Sequence, residues 1–411
     1  MATEQIATLL TQAPPDAPSG YRGAPFLGVL VERLLQLGHE VGVFTTDEGL
    51  FDRGASGPLT LRGERFSITY CPVRPRGFRF QRGRPGRMLD LFRLERRHLA
   101  DAMERYAPDV VHAHWTYEFA WAAQSTRLPL LITAHDDPAA VLRLTRDVYR
   151  LGRYWMARHV LRRARALSVV SGGLQADLRP LTSAPMTVVA NPLAPGMFRA
   201  NEAFARERAP GQPHFVMAMA GWSKMKNARP ALRAFAQSRR DRPGLRMTCF
   251  GRDYGPGEAA ERWVRAEGLD AGIAFVGMRP HADVLEALAR ATALVHPSLL
   301  ESSGMAIAEA MACGLPVIAG RETHGVSWLL DDGKAGMLVD VRNPADIADA
   351  MRQLADDAPL AARLGRYGAA RARELFDANA VACRYVELYE RVIASQAPLC
   401  RAVARQPSRT T

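Results

Sequence analysis

The sequence predicts an α/β protein of two doubly wound domains, each a parallel sheet covered by helices on both faces. Short apolar strands alternate with helical stretches along the chain, and the alternation starts again after Asn191 and Pro192. A chain of 411 residues with 48% hydrophobic residues is also long enough for two cores. Ligands of such sheets bind beyond the carboxyl ends of the strands, so we expect the site in a cleft between the domains.

The N-terminal domain is predicted to comprise residues 1–192. Its first strand is expected at residues 6–10, and a loop rich in proline and glycine then leads into a helix that ends at Leu37. Further strands, each followed by a helical stretch or a turn, are predicted at residues 41–45, 110–113, 130–134, 167–170 and 186–189.

The C-terminal domain is predicted to comprise residues 193–377. Its strands are expected at residues 215–220, 246–250, 273–276, 293–295, 316–319 and 336–339. A last helix is predicted at residues 378–395, and we expect the tail at residues 396–411 to be loose.

Composition and short motifs exclude several classes of protein. Five cysteines without a C-x-x-C pair are typical of reduced thiols in the cytosol. No apolar run reaches the ~18 residues of a membrane span, and the N-terminus lacks the features of a signal peptide, so we expect a cytoplasmic protein. The sequence contains neither G-x-G-x-x-G nor G-x-x-x-x-G-K-[ST], which argues against dinucleotide-binding and P-loop proteins.

The segment at residues 291–320 is the most informative part of the chain. It contains two carboxylates eight residues apart, Glu301 ahead of a predicted helix at residues 305–313 and Glu309 inside it. Helical side chains lean toward the N-terminus, so both carboxylates should point to the same opening. The backbone N–H groups between them form a seat for an anion, and they belong to Ser303, Gly304, Met305 and Ala306. Carboxylates suit sugar hydroxyls and bare amides suit phosphates, which predicts a nucleotide-sugar site. The alternative is that the acidic residues only complement the helix dipole, for about 0.3–1 kcal/mol.

This segment resembles glycosyltransferase family 4, the retaining glycosyltransferases of the GT-B fold, whose signature is E-x7-E. The matching residues are Pro297, Ser298, Glu301, Gly304, Glu309, Ala310, Met311, Ala312, Gly314, Pro316, Val317 and Ile318. The chain departs from the family at Ser302 and Ser303, where Gly-Phe is usual. The resemblance implies two Rossmann-like domains, with the acceptor on the first and the donor on the second, and a C-terminal helix that crosses back onto the first.

The resemblance also implies roles for single residues. Lys226 would bind the donor pyrophosphate, Glu309 the ribose hydroxyls and Glu301 the sugar hydroxyls, with His135 against the sugar. Trp222 replaces the family's arginine, and either Lys224 supplies that charge or the site uses one cation. The alternative is that both lysines are solvated surface residues, but lysine is rare in this chain and both follow the end of a predicted strand, which favours a function. Further matches are Gly251, Met278 and Arg279 around the nucleobase, and Gly20 and Gly23 in the loop after the first strand.

No metal site is predicted, because His112, His114, Asp136 and Asp137 have no third ligand at a recognisable spacing and no Asp-x-Asp occurs. The resemblance implies a retaining glycosyltransferase that uses a UDP- or GDP-sugar, and we predict that it is metal-independent. Its acceptor would be a glycan or lipid-linked glycan, in the synthesis of exopolysaccharide or lipopolysaccharide. The alternatives are a GT-B epimerase or phosphorylase, or a non-enzymatic basic protein that binds nucleic acid. The last would account for the net charge of +12 but has no recognised binding module here. The sugar, the nucleobase, the acceptor and the oligomeric state stay open.

The segment from Arg74 to Arg97 predicts a membrane contact. It holds nine arginines against Asp90 and Glu95, a net charge of +7, with aromatic and aliphatic residues between the charges. Its first half reads as a loop and residues 88–99 as a helix. Basic residues near an anionic bilayer contribute about 1 kcal/mol each. We expect peripheral association with the inner face of the plasma membrane; the alternative is a solvated surface loop.

Overall fold

The computed structural model describes residues 3–12, 16–20, 23–55, 57–78, 80, 83, 85–198 and 212–404, with the backbone alone for residues 324 and 397–404. Its strands are β1 (Val41–Asp47), β2 (Leu59–Gly63), β3 (Phe66–Pro72), β4 (Val111–His114), β5 (Leu130–Ala134), β6 (Leu167–Val169), β7 (Met186–Val188), β8 (His214–Ala218), β9 (Arg246–Phe250), β10 (Ile273–Gly277), β11 (Ala293–His296), β12 (Val317–Gly320) and β13 (Gly336–Val339). Its helices are α1 (Pro25–Gln36), α2 (Glu48–Asp52), α3 (Arg93–Tyr106), α4 (Glu118–Gln124), α5 (Pro138–Thr145), α6 (Val148–Arg163), α7 (Gly172–Leu178), α8 (Ala228–Asp241), α9 (Ala259–Ala266), α10 (His281–Arg290), α11 (Met305–Ala312), α12 (His324–Leu329), α13 (Pro344–Asp356), α14 (Ala358–Phe376) and α15 (Ala378–Ala404).

The chain divides into two compact units. The first comprises residues 1–170, 175–192 and 378–411, and the second comprises residues 171–174 and 193–377. The division therefore also falls after Pro192, and the last helix, α15, returns to the first unit, where it contacts α1 and β5.

The predicted loose tail is partly wrong, because α15 continues to Ala404. Gln396, only 6% exposed, exchanges two hydrogen bonds of 3.1 Å with the backbone of Leu130 and so fixes this part of the helix to β5. Residues 405–411 of the predicted tail lie outside the described residues.

The second unit is built on one parallel sheet of six strands in the order β10-β9-β8-β11-β12-β13. Each strand predicted for the C-terminal domain is confirmed within two residues at either end. The chain adds β9 and β10 on one side of β8 and then crosses to place β11 on its other side. The carboxyl ends of β8 and β11 are therefore the topological switch point, where doubly wound sheets bind ligands.

The first unit contains two sheets. Strands β4-β5-β6-β7 are all parallel, whereas β1-β3-β2 pairs β1 with β3 in parallel and β2 with β3 in an antiparallel hairpin. The strand predicted at residues 6–10 is wrong, since short 3₁₀ turns occupy Thr3–Gln5 and Ala7–Leu9. Ile6 is fully buried with the core of β3, and the Thr11 amide bonds to the Arg62 carbonyl, so the segment packs on the hairpin as a turn.

A cavity of about 520 Å³ lies between the two sheets of the first unit. Every residue from 41 to 45 in β1 and from 110 to 115 around β4 lines it, together with residues of α1, α3 and α15. Alternate residues would line it if the strands presented a face, because successive side chains point to opposite sides. The unbroken runs mean that both strands present an edge.

The segment from Arg74 to Arg97 is held partly by a buried ion pair. Arg74 is 4% exposed and binds both carboxylate oxygens of the fully buried Glu95, at 2.8 and 2.7 Å. The predicted helix start is corrected, since α3 begins at Arg93: Leu91 and Phe92 have φ of 50° and 64°, which a right-handed helix cannot include. Among the described residues, no helix is both long and apolar enough to cross a bilayer.

Candidate functional site

The loops that follow β8 and β11 meet at the switch point of the second unit. There the Lys226 Nζ lies 3.0 Å from the Glu301 Oε2, and the Nε2 of His296, at the end of β11, lies 3.1 Å from the same oxygen. His296 is 3% exposed, whereas the side chains of Lys226 and Glu301 are 20% and 17% exposed. The predicted pyrophosphate and sugar residues are therefore brought together at one partly open point.

Asn227 holds the two loops against each other. Its Nδ2 donates to the carbonyl oxygens of Pro297, at 3.1 Å, and Val341, at 2.9 Å. The backbone adds a bond of 2.9 Å from the Leu299 amide to the Met225 carbonyl. These bonds fix Lys226 beside Glu301 through the backbone, and α8 begins directly after Asn227.

Glu301 stays ionised in this setting. Burial raises its pKa, but the hydrogen bond from His296 and the charge of Lys226 outweigh burial and hold the pKa at about 2. A carboxylate that is charged at neutral pH accepts hydrogen bonds only, which is what a sugar hydroxyl needs from a partner.

The first turn of α11 has backbone amides without a partner in the helix, and the loop that precedes it is closely packed against α12. Gly304 has φ of 50° and precedes the first helical residue, Met305, so the amides of the first turn have no partner within the helix. Gly325, at the start of α12, lies so close to the Glu301 carbonyl oxygen that a Cβ there would overlap it. This contact fixes the loop that carries Glu301 and Ser303 above the helix end.

Glu309, the fifth residue of α11, has a partner that the sequence did not indicate. His281, the first residue of α10, places its Nε2 3.0 Å from the Glu309 Oε1. The hydrogen bond to Glu309 raises the pKa of His281 above its ordinary value of 6.5. Each carboxylate of the E-x7-E motif thus has its own histidine, His296 for Glu301 and His281 for Glu309.

Trp222, which stands where the family has an arginine, and Lys224, the candidate to replace its charge, have different surroundings. Trp222 packs its ring against Tyr254 and Trp263, with centroid distances of 5.8 and 5.6 Å, and so belongs to the core of the unit. Lys224 is exposed.

Arg252 lies beside Gly221. A Cβ built on Gly221 would lie 3.5 Å from a terminal nitrogen of the Arg252 guanidinium and 3.4 Å from the Asp253 Oδ2, which accepts a hydrogen bond from the Trp222 amide. Arg252 is exposed and follows Gly251 at the carboxyl end of β9, the neighbour of β8. The sequence contained one indication of this residue, its position directly after a predicted site glycine.

The residues predicted around the nucleobase follow β9 and β10. Gly251 has φ of 116°, and a Cβ there would overlap the carbonyl oxygen of Met219, so this position requires glycine. Its amide donates to the Gly277 carbonyl at 2.9 Å, which ties the ends of β9 and β10 together. Met278, 74% exposed, and Arg279, also exposed, come next in the chain.

In the first unit, His135 follows β5 and belongs to a cluster of three histidines. The His114 Nδ1 lies 3.0 Å from the His135 Nε2, and His112 bonds to Thr133 and Tyr389 at 2.6 and 2.8 Å. Burial lowers the pKa of His114 to about 3, and burial together with the neighbouring imidazoles lowers the pKa of both other histidines. All three are therefore neutral at neutral pH.

The acidic pair after His135 has local partners. The Tyr117 hydroxyl donates to Asp136 at 2.8 Å, and Asp137 caps α5 by accepting from the Ala139 amide at 2.8 Å. Within the described part of the chain, no group of three or more His, Cys, Asp or Glu residues could hold a metal ion.

The predicted glycine loop adjoins the end of β1. The Gly20 amide donates to the Oδ2 of Asp47 at 2.9 Å, and the Oδ1 of Asp47 caps α2. Gly23 precedes α1, and residues 21 and 22, between the two glycines, lie outside the described residues.

Comparison with known proteins identifies the family to which the chain is similar. The model of the family described as glycosyl transferases group 1 matches residues 200–371, and that of Glycosyltransferase Family 4 matches residues 26–195. A D-inositol 3-phosphate glycosyltransferase of Corynebacterium kroppenstedtii is 35% identical over 171 residues, which cover 40% of this chain and 38% of that protein. The match thus spans about four-tenths of the length of that relative.

Two solved structures have the same fold. Sucrose-phosphate synthase from Thermosynechococcus elongatus is 21% identical, with a TM-score of 0.71 over 93% of this chain and 97% of the other. HepE of Anabaena, solved in complex with UDP, is 18% identical, with a TM-score of 0.65 over 91% and 98% of the two chains. These likenesses assign the two units to the GT-B fold.

Proposed function

This chain belongs to glycosyltransferase family 4, and on that premise we propose that it transfers a sugar from a nucleoside diphosphate sugar to an acceptor. The transfer would retain the anomeric configuration and need no metal ion. The donor would be a UDP- or GDP-sugar, and the acceptor a glycan or lipid-linked glycan of a cell-surface polysaccharide.

The contact of Lys226 with Glu301 at the switch point is the observation that carries the proposal. A cation 3.0 Å from a carboxylate, where loops of β8 and β11 meet, offers one group for a phosphate and one for a hydroxyl. The leaving nucleoside diphosphate gains negative charge as the glycosidic bond breaks, and a fixed cation stabilises that charge. In the proposed complex, Lys226 turns from Glu301 toward the pyrophosphate and frees the carboxylate for the sugar.

The remaining donor contacts follow the same sheet edge. Glu309 would bind the ribose hydroxyls, oriented by His281 at 3.0 Å. The open amides at the start of α11, from Ser303 to Ala306, would receive phosphate oxygens. Around the base we place Gly251, Met278 and Arg279.

We assign the second pyrophosphate cation to Arg252 rather than to Lys224. Its guanidinium lies beside Gly221, where the loop of β8 begins. A guanidinium binds phosphate oxygens in a forked geometry that an ammonium group cannot match. Arg252 would thus supply the charge that Trp222 does not.

His135 would contact the transferred sugar, with the loop of Gly20 and Gly23 on the acceptor side. Because the pKa of His135 is lowered by burial and by His114, the imidazole would act as a neutral hydrogen-bonding group. No enzymic general base is assigned.

The acceptor would be reached at a membrane surface through the segment from Arg74 to Arg97. Several of its described arginines have internal partners: Arg74 binds Glu95, Arg87 binds Glu48, Arg96 covers Trp121, and the exposed Arg76 lies over Tyr149. Arg76, Arg93 and Arg97 are exposed and would face anionic headgroups at the cytoplasmic face of the membrane.

A thermal-shift screen of nucleoside diphosphates tests the donor site directly. A ligand at 100 times its Kd stabilises the fold by about 2.7 kcal/mol, so UDP or GDP should raise the melting temperature and the base should become evident. The matching sugar nucleotide should then release free nucleoside diphosphate in excess EDTA when an acceptor is present. Conversion without such release would instead indicate an epimerase, and a strict need for Mn²⁺ or Mg²⁺ would contradict the mechanism.

A further inference from the structure

Most of the large hydrophobic side chains that the described residues leave exposed lie in two segments of the first unit. Six of ten belong to them, and they are Phe78, Phe80, Leu89, Val148, Leu151 and Trp155. The last three project from α6, and we call them the apolar face of α6. They are 68%, 42% and 56% exposed, in chain order.

The apolar face of α6 is a continuous stripe. Its residues are spaced by three and four positions, which places them on one side of a helix. The other side is also apolar and is already buried, since Met156, Ala157, Val160 and Leu161 have no exposed surface. A helix that is apolar on two sides is normally covered on both, so the exposed stripe lacks a partner within the described residues.

The second group of exposed residues adjoins α6. The sulfur of Met88 lies 2.7 Å from where a Cβ on Gly152 would be, and the Arg76 guanidinium lies 4.5 Å above the Tyr149 ring. Leu89 follows Met88 directly. The loop and the helix thus form one surface. The sequence predicted a membrane contact for the loop but not for the helix.

The charge around the apolar face is almost entirely positive. Residues 143–165 contain eight arginines and a single acidic residue, Asp147. Arg143, Arg146, Arg162 and Arg163 are exposed at the two ends of the helix. Exposed apolar side chains between exposed arginines suit the interface of an anionic bilayer, where the apolar groups are buried and the cations meet the headgroups.

We propose that the apolar face of α6 inserts into the headgroup region of an anionic membrane, with Trp155 at the interface as its anchor. Tryptophan suits this position because its ring is apolar and its N–H needs a polar partner. The inference rests on the proposed membrane-bound acceptor and adds a site of insertion to the charge contact of the arginine-rich loop. A second copy of the chain is a poorer fit, because a two-fold interface would bring the same arginines against each other.

The two contributions respond differently to salt. Attraction between exposed arginines and headgroups is screened, since the Debye length falls from about 30 Å at 0.01 M to about 10 Å at 0.1 M salt. Burial of apolar side chains is not screened. Binding that remains at high salt should therefore depend on α6.

Co-sedimentation of the full-length protein with phosphatidylglycerol–phosphatidylcholine vesicles tests the proposal. We compare the wild type, the double variant Leu151→Ser with Trp155→Ser, and a loop variant with Arg76, Arg79, Arg82, Arg84 and Arg93 changed to Ser. Leu37→Ser is the matched control, since Leu37 is a 48% exposed leucine elsewhere in the first unit. At moderate salt the α6 variant should partition about tenfold or more weakly, while the control binds as the wild type does.

Bromine-labelled lipids provide a second measurement. They should quench part of the tryptophan fluorescence of the wild type, and that part should be missing in Trp155→Phe. Undiminished partitioning of the α6 variant, or no quenching that depends on Trp155, would overturn the proposal. So would a wild-type dimer in sedimentation that Leu151→Ser converts to a monomer. Nucleoside diphosphates should stabilise the α6 variant as they do the wild type; their failure on every form would contradict the donor site and leave the vesicle result intact.

Discussion

The two units of this chain share a doubly wound plan but differ in how their sheets are closed. The second unit has a single parallel sheet, and the candidate site lies at the switch point between β8 and β11. The first unit has two sheets whose edges, β1 and β4, border a cavity of about 520 Å³. The part of the molecule with the strongest sequence motif is thus also the part with the continuous core. The first unit is also held by a buried ion pair between Arg74 and Glu95 and by the packing of α15 on α1 and β5.

The largest difference that we expect is in amide hydrogen exchange. It should separate the edge strand β4 of the first unit from the central strand β8 of the second. In β4, the amides of Val111 and Trp115 donate toward β5, so the alternate amides of His112 and His114 point to the cavity. We expect those two to exchange orders of magnitude faster than Ala113 between them, whereas all amides of β8, paired on both sides, should exchange slowly. Equal protection at residues 112 and 113 would mean that another segment of the protein pairs with β4 in solution. That segment would fill the cavity and join the two sheets of the first unit.

The buried ion pair should matter most for the stability of the first unit. Glu95→Gln removes the buried charged partner of the Arg74 guanidinium, 4% exposed, and leaves it Asp90, whose side chain is 38% exposed. Breaking a buried pair costs about 3–5 kcal/mol because the remaining charge stays desolvated, so we expect a loss toward the lower end of that range. Denaturant unfolding should show an earlier transition for the first unit and an unchanged one for the second. Glu104→Gln, an exposed residue of the same helix, is the control. A loss shared equally by both transitions would contradict the independence of the units.

The candidate site of the second unit should lose donor affinity or turnover when its cationic side chains are removed. Lys226→Ala should weaken donor binding or turnover by about tenfold to hundredfold, since a hydrogen bond to a charged group contributes roughly 1.5–3 kcal/mol. Arg252→Ala should follow it, and Lys224→Ala should have little effect, because the Arg252 guanidinium lies beside Gly221. Isothermal titration with the nucleoside diphosphate measures all three. A loss with Lys224→Ala and none with Arg252→Ala would reverse the assignment, and full activity of all three would refute it.

Substitution of Glu309 should mainly affect nucleotide binding, and substitution of Glu301 should mainly affect turnover. Glu309→Gln keeps the size of the side chain and should weaken binding of the free nucleotide, which carries the ribose. Glu301→Gln should lower turnover more than nucleotide affinity, because only the intact donor carries the sugar. Steady-state kinetics beside titration of the diphosphate would distinguish them. Unchanged kinetics in both variants would return both residues to a structural role.

The parts that the sequence predicted well share a physical cause. Strands β8 to β13 are short, apolar and bounded by turns, and the motif at residues 301–309 is local, so neighbouring residues determine both. Contacts between distant residues could not be predicted in this way. His281 and Glu309 are 28 positions apart, and Arg252 reaches Gly221 from the loop of the neighbouring strand.

The errors in the first unit have the same origin. The apolar pattern at residues 6–10 is compatible with a strand, yet Ile6 is buried as completely in a turn against β3. The start of α3 was misplaced because the left-handed backbone at Leu91 and Phe92 leaves no trace in residue type. Periodicity indicates which residues are buried, and tertiary contacts decide how.

The smallest effect we expect is a pair of opposite pH dependences within the second unit. The pKa of Glu301 is held at about 2, below its ordinary value of 4.5, so its stabilising contribution is complete above that ordinary value and is lost as the pH falls toward 2. The pKa of His281 is raised by the hydrogen bond to Glu309, so its contribution is complete below the ordinary value of 6.5 and is lost as the pH rises through the raised value.

Unfolding midpoints of His281→Gln should therefore fall below those of the wild type in mild acid and meet them in mild alkali. Those of Glu301→Gln should differ most near neutrality and approach the wild type in strong acid. His39→Gln, an exposed histidine of the first unit, is the control. If the His281 difference grew with rising pH, the folded state would favour the neutral imidazole, and the raised pKa of His281 would be contradicted.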